Sequence, residues 1–530
     1  FYEPALAYFP IFRGSTRVEL KPNVLTAIAV VALVLSAIGA GAGIMALASP
    51  GVEGPEGPEG PAGDTGAAGP QGEPGYGFAS FVIAAHDSLD NENADFVCDG
   101  VDDQVQIDEA LEALPEQGGS IYLREGTYLL SEGLSISRSN VTIGGSGPGT
   151  VLRVEDDLNG TMTVIRAQQV SRIVIEDLMM DGNMASNVEG DHDGIVFDRC
   201  YESRISGVQI EDLRGTAVEI SSSSMVTLEG SVIRDCVTFG VWLNYSSGIS
   251  VLDNQVQRCD DVSVFLAQSR DCVVRGNQVS FGGLHSLYMS LSNYNVIEGN
   301  CLKGAEVNGV YLDSSYYNTI SGNQVLSSGW WGIYVSTSSN NNILVGNTVS
   351  SSLYDGVRID GSTGNSLTGN AILDSGWAGL IVYDSDDTAV SGNVVDSCFY
   401  SCISIYSSDQ CIISGNTVRW AQEHGIMISS SDDCVISGNT VSCNSFRVSN
   451  SYSGIIIASD SDTNLIDGNI VRIGYTDYKQ RYGLYIQSSF CNNNLVINND
   501  LYVSGWTADF IDDGSGTIYH NNRLSTGWTP

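Results

Sequence analysis

The sequence is poor in positive charge. Of 530 residues only Lys21, Lys303 and Lys479 are lysines, and 23 basic side chains face 62 acidic ones, for a formal net charge of −39. A nucleic-acid-binding surface needs clustered Lys and Arg against phosphate, so that class of partner is excluded. Proline and histidine are scarce, at 12 and 5 residues. The 12 cysteines form no CxxC pair and no Cys/His metal spacing, so neither a zinc site nor a small disulfide scaffold is legible. Cysteine usage leaves the redox compartment open, and Cys398 and Cys402, in a CxxxC spacing, carry nothing by themselves. What is plentiful is glycine, 60 residues, in a chain that is 42 % hydrophobic and rich in Ser and Asn. That excludes a disordered acidic polymer and a helical bundle, and favours turns and stacked strands.

One stretch has no charge at all, the 25 residues Val24–Ala48. As a helix rising about 1.5 Å per residue it is long enough for a bilayer core of about 30 Å. Arg13, Arg17 and Lys21 precede it, and Glu53, Glu56 and Glu59 follow. The positive-inside rule therefore expects residues 1–23 in a cytoplasm or virion interior and the bulk outside, as in a single-pass membrane protein of a cell or virion surface. A filament core is the alternative setting for the 24–48 helix. Gly51 then opens a strict triplet, GVE GPE GPE GPA GDT GAA GPQ GEP. Only Gly fits at the crowded axis of three polyproline-II-like chains, so 51–77 reads as a collagen-like stalk and implies a homotrimer.

Beyond the stalk a Gly-Asn step recurs at Asn277, Asn300, Asn323, Asn347, Asn370, Asn393, Asn416, Asn439 and Asn469. The intervals are 23, 23, 24, 23, 23, 23, 23 and 30, and Asn254 extends the series backwards. A second landmark, Gly-apolar-x-apolar, begins at Gly240, Gly309, Gly332, Gly356, Gly379, Gly425, Gly454 and Gly483. Its alternation, as in Val310/Leu312 and Ile333/Val335, describes strands with one buried face. Several short strands repeated at constant pitch are one turn of a solenoid, each coil stacking on the next at about 4.8 Å. The Asn column then forms an amide ladder along the turns.

Ahead of the repeats come Asp102-Asp103, then Ile107, Ala110 and Leu111, then GGSIYLREGTY at 118–128. This resembles the opening of the pectate-lyase-like superfamily, and the repeats are similar to those of periplasmic copper-binding NosD-like and phage-tailspike-like proteins. The resemblance covers about 78–530. It implies an all-β fold, a right-handed parallel β-helix of about 23 residues per coil, preceded here by the long apolar α-helix and the triple-helical segment. Residues 78–150 would form the cap and first coils and 151–530 the body, with a helix near Asp103–Leu114 covering the open end. The superfamily holds lyases, hydrolases, epimerases and non-catalytic adhesive spikes, so fold does not choose among them.

In five successive coils the outward residue of the second landmark is aromatic: Trp242, Phe265, Tyr288, Tyr311 and Tyr334. A second run, Trp330, Tyr354, Trp377 and Tyr400, lies two residues before the landmark. Outward aromatic ladders mark a contact surface, here for a polysaccharide or cell-surface glycan, a second protomer, or one another. The last two coils are lengthened, and the extra segments Asn444–Ser453 and Ile473–Tyr482 hold Arg447, Tyr475, Lys479 and Arg481, a loop pair suited to an acidic glycan. Asp386, Asp409, Asp432 and Asp462 fall in one column, where stacked carboxylates suit calcium. Cys236/Cys259 and Cys411/Cys434 also share columns, as disulfides or as packed thiols.

The nearest thing to catalytic chemistry is Asp191, His192 and Asp193 in GDHDG, one coil beyond Asp181, which could supply an acid/base pair. The hydrolase triplets of the family, Asn-Thr-Asp, Gly-His-Gly and Arg-Ile-Lys, are missing. The expectation is therefore a membrane-anchored, trimeric surface spike or adhesin that binds glycans. A polysaccharide lyase, hydrolase or epimerase, and a filament or coat subunit, are the alternatives.

Overall fold

A computed structural model describes residues 79–158, 160–474 and 479–529. The expected membrane helix at Val24–Ala48 and the stalk at 51–77 lie outside these residues. Among the described residues no helix is long and apolar enough to cross a membrane.

The chain winds through three long sheets of 19, 15 and 16 strands. One coil shows the plan. Thr319–Ser321 lies in sheet 1, Gln324–Leu326 in sheet 2 and Ile333–Ser336 in sheet 3. Each pairs in parallel with its counterpart one coil on, Thr319 with Ile343, Gln324 with Thr348 and Ile333 with Val357. The one antiparallel pair among the described residues is Arg523–Leu524 with Gly527–Trp528. The same sheets run through residue 150 without a break, Thr150–Val154 pairing with Gly126–Leu130.

The strands are this short because each must turn a corner after contributing one or two side chains to the interior. In sheet 1 the middle residue of each strand points in, giving the fully buried stack Ile297, Ile320, Leu344, Leu367 and Val390. Burying each such side chain contributes about 2 kcal/mol, and each coil rests mainly on its two neighbours.

Between sheets 1 and 2 the corner is the Gly-Asn step. Gly322 takes φ +61° and Gly346 +65°, in the left-handed region that costs glycine little. The asparagine turns inward and forms the expected ladder. Asn323 Nδ2 donates to the Ile297 carbonyl at 2.9 Å and to Asn347 Oδ1 at 3.0 Å, and the Asn323 N–H donates to the same Oδ1 at 3.0 Å. Two further ladders line the opposite corner. Ser246, Ser269, Ser292 and Ser315 each donate the backbone N–H to the next hydroxyl. Asn295, Asn318 and Asn342 do the same with side-chain amides. At these two corners the ladders thus pair the buried polar groups, which burial requires.

Helix α1, Gln104–Ala113, sits where the sequence places it, and Ile107, Ala110 and Leu111 join the core at the first coil. Asp103 binds the Gly100 and Leu129 N–H groups, both at 2.8 Å, anchoring the helix start. Arg138 donates to the Leu111 and Glu112 carbonyls at 3.2 and 3.0 Å, satisfying unpaired groups at the helix end. Tyr128 is wholly buried, its hydroxyl donating to the Ile83 carbonyl at 3.0 Å.

Candidate functional site

One outward column of sheet 3 follows the registered strands along the length of the solenoid: Arg166, Val196, Glu219, then Trp242 to Tyr334, then Arg358, Ile381, Ser404 and Met427. It divides into a polar head, a ladder of rings and a groove.

The five rings of the ladder stack face to face. Centroids lie 6.4 Å apart for Trp242–Phe265, 4.9 Å for Phe265–Tyr288 and for Tyr288–Tyr311, and 5.1 Å for Tyr311–Tyr334, with planes within 8°. The three inner rings therefore have both faces covered by their neighbours, and a sugar approaching them meets edges and hydroxyls. Phe239, His285 and Trp331 lean on the ladder from one side. Tyr288 donates to Asp313 at 3.3 Å. Burial holds the phenols of Tyr288, Tyr311 and Tyr334 above their ordinary range.

The second run behaves differently. Trp330 and Tyr354 meet at 85°, Tyr354 and Trp377 at 71°, and Trp377 and Tyr400 at 54°. Rings tilted or set edge to face cover one another only in part, and Trp377 is 45 % exposed. Beside this run the ladder ends at Arg358. Its guanidinium pairs with Asp355 at 3.5 Å and Asp360 at 3.0 Å and lies over Trp331 and Tyr383. Asp355 also accepts the Ala378 N–H at 3.1 Å, and burial raises its carboxyl above the usual range.

Past Arg358 the column turns to Ile381 and Ser404, and a groove of about 230 Å³ opens above them. Ala378, Ser401 and Ser404 form a low floor, Trp377 and Tyr400 one wall, and Tyr406 with Glu423 the remainder. Burial raises the Tyr406 phenol, and Glu423 and Asp355 add to the effect. Arg447, from the first lengthened coil, pairs with Glu423 at 3.2 Å and lies over Phe399 and Tyr400.

The two lengthened coils are joined to each other by backbone hydrogen bonds. The Asn450 N–H donates to the Lys479 carbonyl and the Arg481 N–H to that of Tyr452, both at 2.6 Å. Their cations are already engaged, Lys479 Nζ 3.7 Å from the Trp506 ring centre and Arg481 over Tyr482 at 4.8 Å. Tyr475 lies outside the described residues.

The aspartate column has a structural role. Asp386 accepts the Asp409 N–H, Asp409 that of Asp432, and Asp432 that of Asp462, at 2.7–2.8 Å. Asn293 and Asn340 serve the same way for Tyr316 and Thr363, so the column needs an acceptor rather than a charge. Among the described residues no three His, Cys, Asp or Glu side chains are grouped to hold a metal ion, such as the calcium expected on this edge.

At the polar head the expected catalytic group is only partly assembled. Asp181 lies in sheet 2, ion-paired to Arg153. Asp191 and Asp193 lie in sheet 3, and His192 between them is fully buried with neither ring nitrogen hydrogen-bonded. Alternation along the strand sends the histidine to the opposite face, which GDHDG alone does not reveal. What gathers instead is Asp191, Asp193, Glu219 and Arg166. A Cβ on Gly215 would fall 2.5 Å from Asp193 Oδ1 and 2.6 Å from Asp191 Oδ1, so this glycine leaves room for both carboxylates. Burial raises the carboxyls of Asp193 and Glu219.

Comparison with known proteins agrees with this architecture. Residues 177–353 match the family model described as periplasmic copper-binding protein (NosD), and residues 308–471 match that of the right-handed beta helix region. The fold is thus a right-handed parallel β-helix. No curated protein matches the chain. Similar solved structures include the A-module of a mannuronan C-5 epimerase from Azotobacter vinelandii, 17 % identical over 79 % of this chain and 94 % of that one, TM-score 0.34. DFA-IIIase from Arthrobacter chlorophenolicus A6 is 16 % identical over 63 % and 94 %, TM-score 0.46. Tailspike protein 3 of bacteriophage CBA120 is 12 % identical over 80 % and 59 %, TM-score 0.41. Within the matched stretch no three His, Cys, Asp or Glu side chains are grouped to hold a metal ion. Cys236 and Cys259 face each other in register as buried thiols, with no third donor grouped beside them.

Proposed function

We propose that this chain is a glycan-binding surface spike whose sugar site is the groove at Trp377, Tyr400, Ser404 and Tyr406. The observation that carries the reading is the change in ring geometry along sheet 3. Stacked rings close the ladder, whereas the tilted rings at Trp377 and Tyr400 leave apolar faces beside a floor of small, hydroxyl-bearing residues. One sugar ring fits such a space, its apolar face on an aromatic wall and its hydroxyls toward Ser404, Tyr406 and Glu423. The one charged residue lining the groove is Glu423, a carboxylate, and the chain's net charge is −39. An uncharged saccharide is therefore favoured over an acidic one.

The Gly-x-y segment supports three chains and Val24–Ala48 supports a membrane anchor with the β-helix outside. Three grooves on one stalk multiply a weak single-site affinity by avidity. The test is binding of the protein to a panel of neutral and acidic polysaccharides. Trp377→Ala with Tyr400→Ala is expected to weaken binding about tenfold or more with an unchanged circular dichroism spectrum. Equal binding by the variant would remove the groove from the account.

A second reading, processing of a polysaccharide, draws on the polar head, because burial raises the carboxyls of Asp193 and Glu219, the direction a general acid requires. Its signature is new chain ends released from a polysaccharide and lost in Asp193→Asn.

A further inference from the structure

Cys398 and Cys402 stand out against the repeat. In the three preceding coils the equivalent pair is serine then glycine: Ser328 and Gly332, Ser352 and Gly356, Ser375 and Gly379. Only in the coil of Cys398 do both positions become cysteine. The serine side of this pocket is apolar, since the buried hydroxyls of Ser352 and Ser375 find no hydrogen-bond partner. The two cysteine sulfurs lie 2.8 Å apart and both residues are essentially inaccessible, against a covalent S–S bond of about 2.05 Å. Between them runs the turn that presents Phe399 and Tyr400.

We propose that Cys398 and Cys402 close to an intramolecular disulfide, a covalent modification that staples the turn bearing Tyr400. The oxidant is a low-molecular-weight disulfide such as glutathione disulfide. One cysteine thiolate attacks it, releasing one glutathione and forming a mixed disulfide. The second cysteine thiolate then attacks the protein-side sulfur, forming the Cys398–Cys402 bond and releasing the second glutathione. Two electrons pass to the oxidant, and the two thiol protons leave with the released glutathiones. In the folded coil, burial and then the facing thiol hold Cys398 well above the usual thiol range, so the exchange belongs to folding, before the coil closes. Once formed, the bond is sealed from reductant. The staple rests on its own geometry and stands whether or not the groove binds sugar.

The test folds the full chain in the presence of glutathione disulfide, blocks free thiols with iodoacetamide in denaturant, and maps the peptide holding Cys398 and Cys402 by mass spectrometry. The expected peptide is two hydrogens lighter than the dithiol form and unlabelled at both positions. Dithiothreitol reduces it only when denaturant is added. Cys398→Ser with Cys402→Gly, which restores the residues of the neighbouring coils, is expected to keep the fold and lose the linkage. Full labelling of both cysteines in wild-type protein folded with the oxidant would overturn the proposal, as would reduction of the folded protein at the same rate as the unfolded chain.

Discussion

The ladder from Trp242 to Tyr334 and the groove from Arg358 to Met427 occupy the same outward column of the same sheet, with the same pairing and the same interior. They differ in the outward side chain of the strand and in the turn before it, where the groove coils carry Tyr354, Trp377 and Tyr400. Where the outward residue is a ring, its neighbours are rings at about the stacking distance, and the surface closes on itself. Where it shrinks to Ser404, the rings of the adjacent turn tilt against one another and Trp377 stays 45 % exposed. A solenoid thus separates what holds it up from what it offers to a ligand, because the interior and the corners do not depend on the outward residue.

The largest disruption should come from the frame that both regions share. Asn347 lies between them, donating to the Ile320 carbonyl at 2.8 Å and to Asn370 at 3.0 Å, and accepting from Asn323. Asn347→Leu strands these buried groups and should cost about 3 kcal/mol or more in urea unfolding. Within the ladder, Tyr288→Ser with Tyr311→Ser removes three stacked ring contacts, with an expected loss of about 2 kcal/mol and no loss of glycan binding. Leu291, half-exposed in the ladder region, holds φ +51° at a corner that Gly361 occupies where the groove begins. Leu291→Gly should gain about 0.5–1 kcal/mol.

The smallest effect lies outside both regions. Burial, with Glu112 and Glu132 nearby, lifts the Asp108 carboxyl to about 6, above its unfolded value. The folded state therefore takes up a proton there, and its cost is relieved as pH falls from 7 through 6 toward the unfolded value. The melting temperature should rise slightly over that range, and Asp108→Asn should remove this part of the dependence.

Much of the frame is legible in the sequence because it repeats. The 23-residue interval places Asn323 against Asn347, and the alternation around Gly309 and Gly332 names the buried pairs. The helix over Ile107, Ala110 and Leu111 is equally plain. The serine ladder was readable in principle but is masked by the many other serines, and the second asparagine ladder is interrupted by Thr388, Cys411 and Cys434. The site is harder to read. Period two says that Tyr288 points out, but not that its faces are covered by Phe265 and Tyr311. The groove joins the turn of Trp377 and Tyr400 to the strand end of Tyr406, which no spacing rule brings together. The aspartate column looked like a cation site because carboxylates invite that reading, whereas the position asks only for an oxygen that accepts an N–H.

The central claim is that ring packing at one outward position closes or opens the sugar site. Ser404→Tyr tests it directly by placing a ring on the groove floor while leaving the interior and the ladders untouched. Glycan binding should fall at least tenfold in Ser404→Tyr, roughly the contribution of one to two aromatic contacts, and remain at the wild-type level in Tyr288→Ser with Tyr311→Ser. Wild-type binding by Ser404→Tyr together with loss of binding in the ladder variant would contradict the account and return the sugar to the stacked rings.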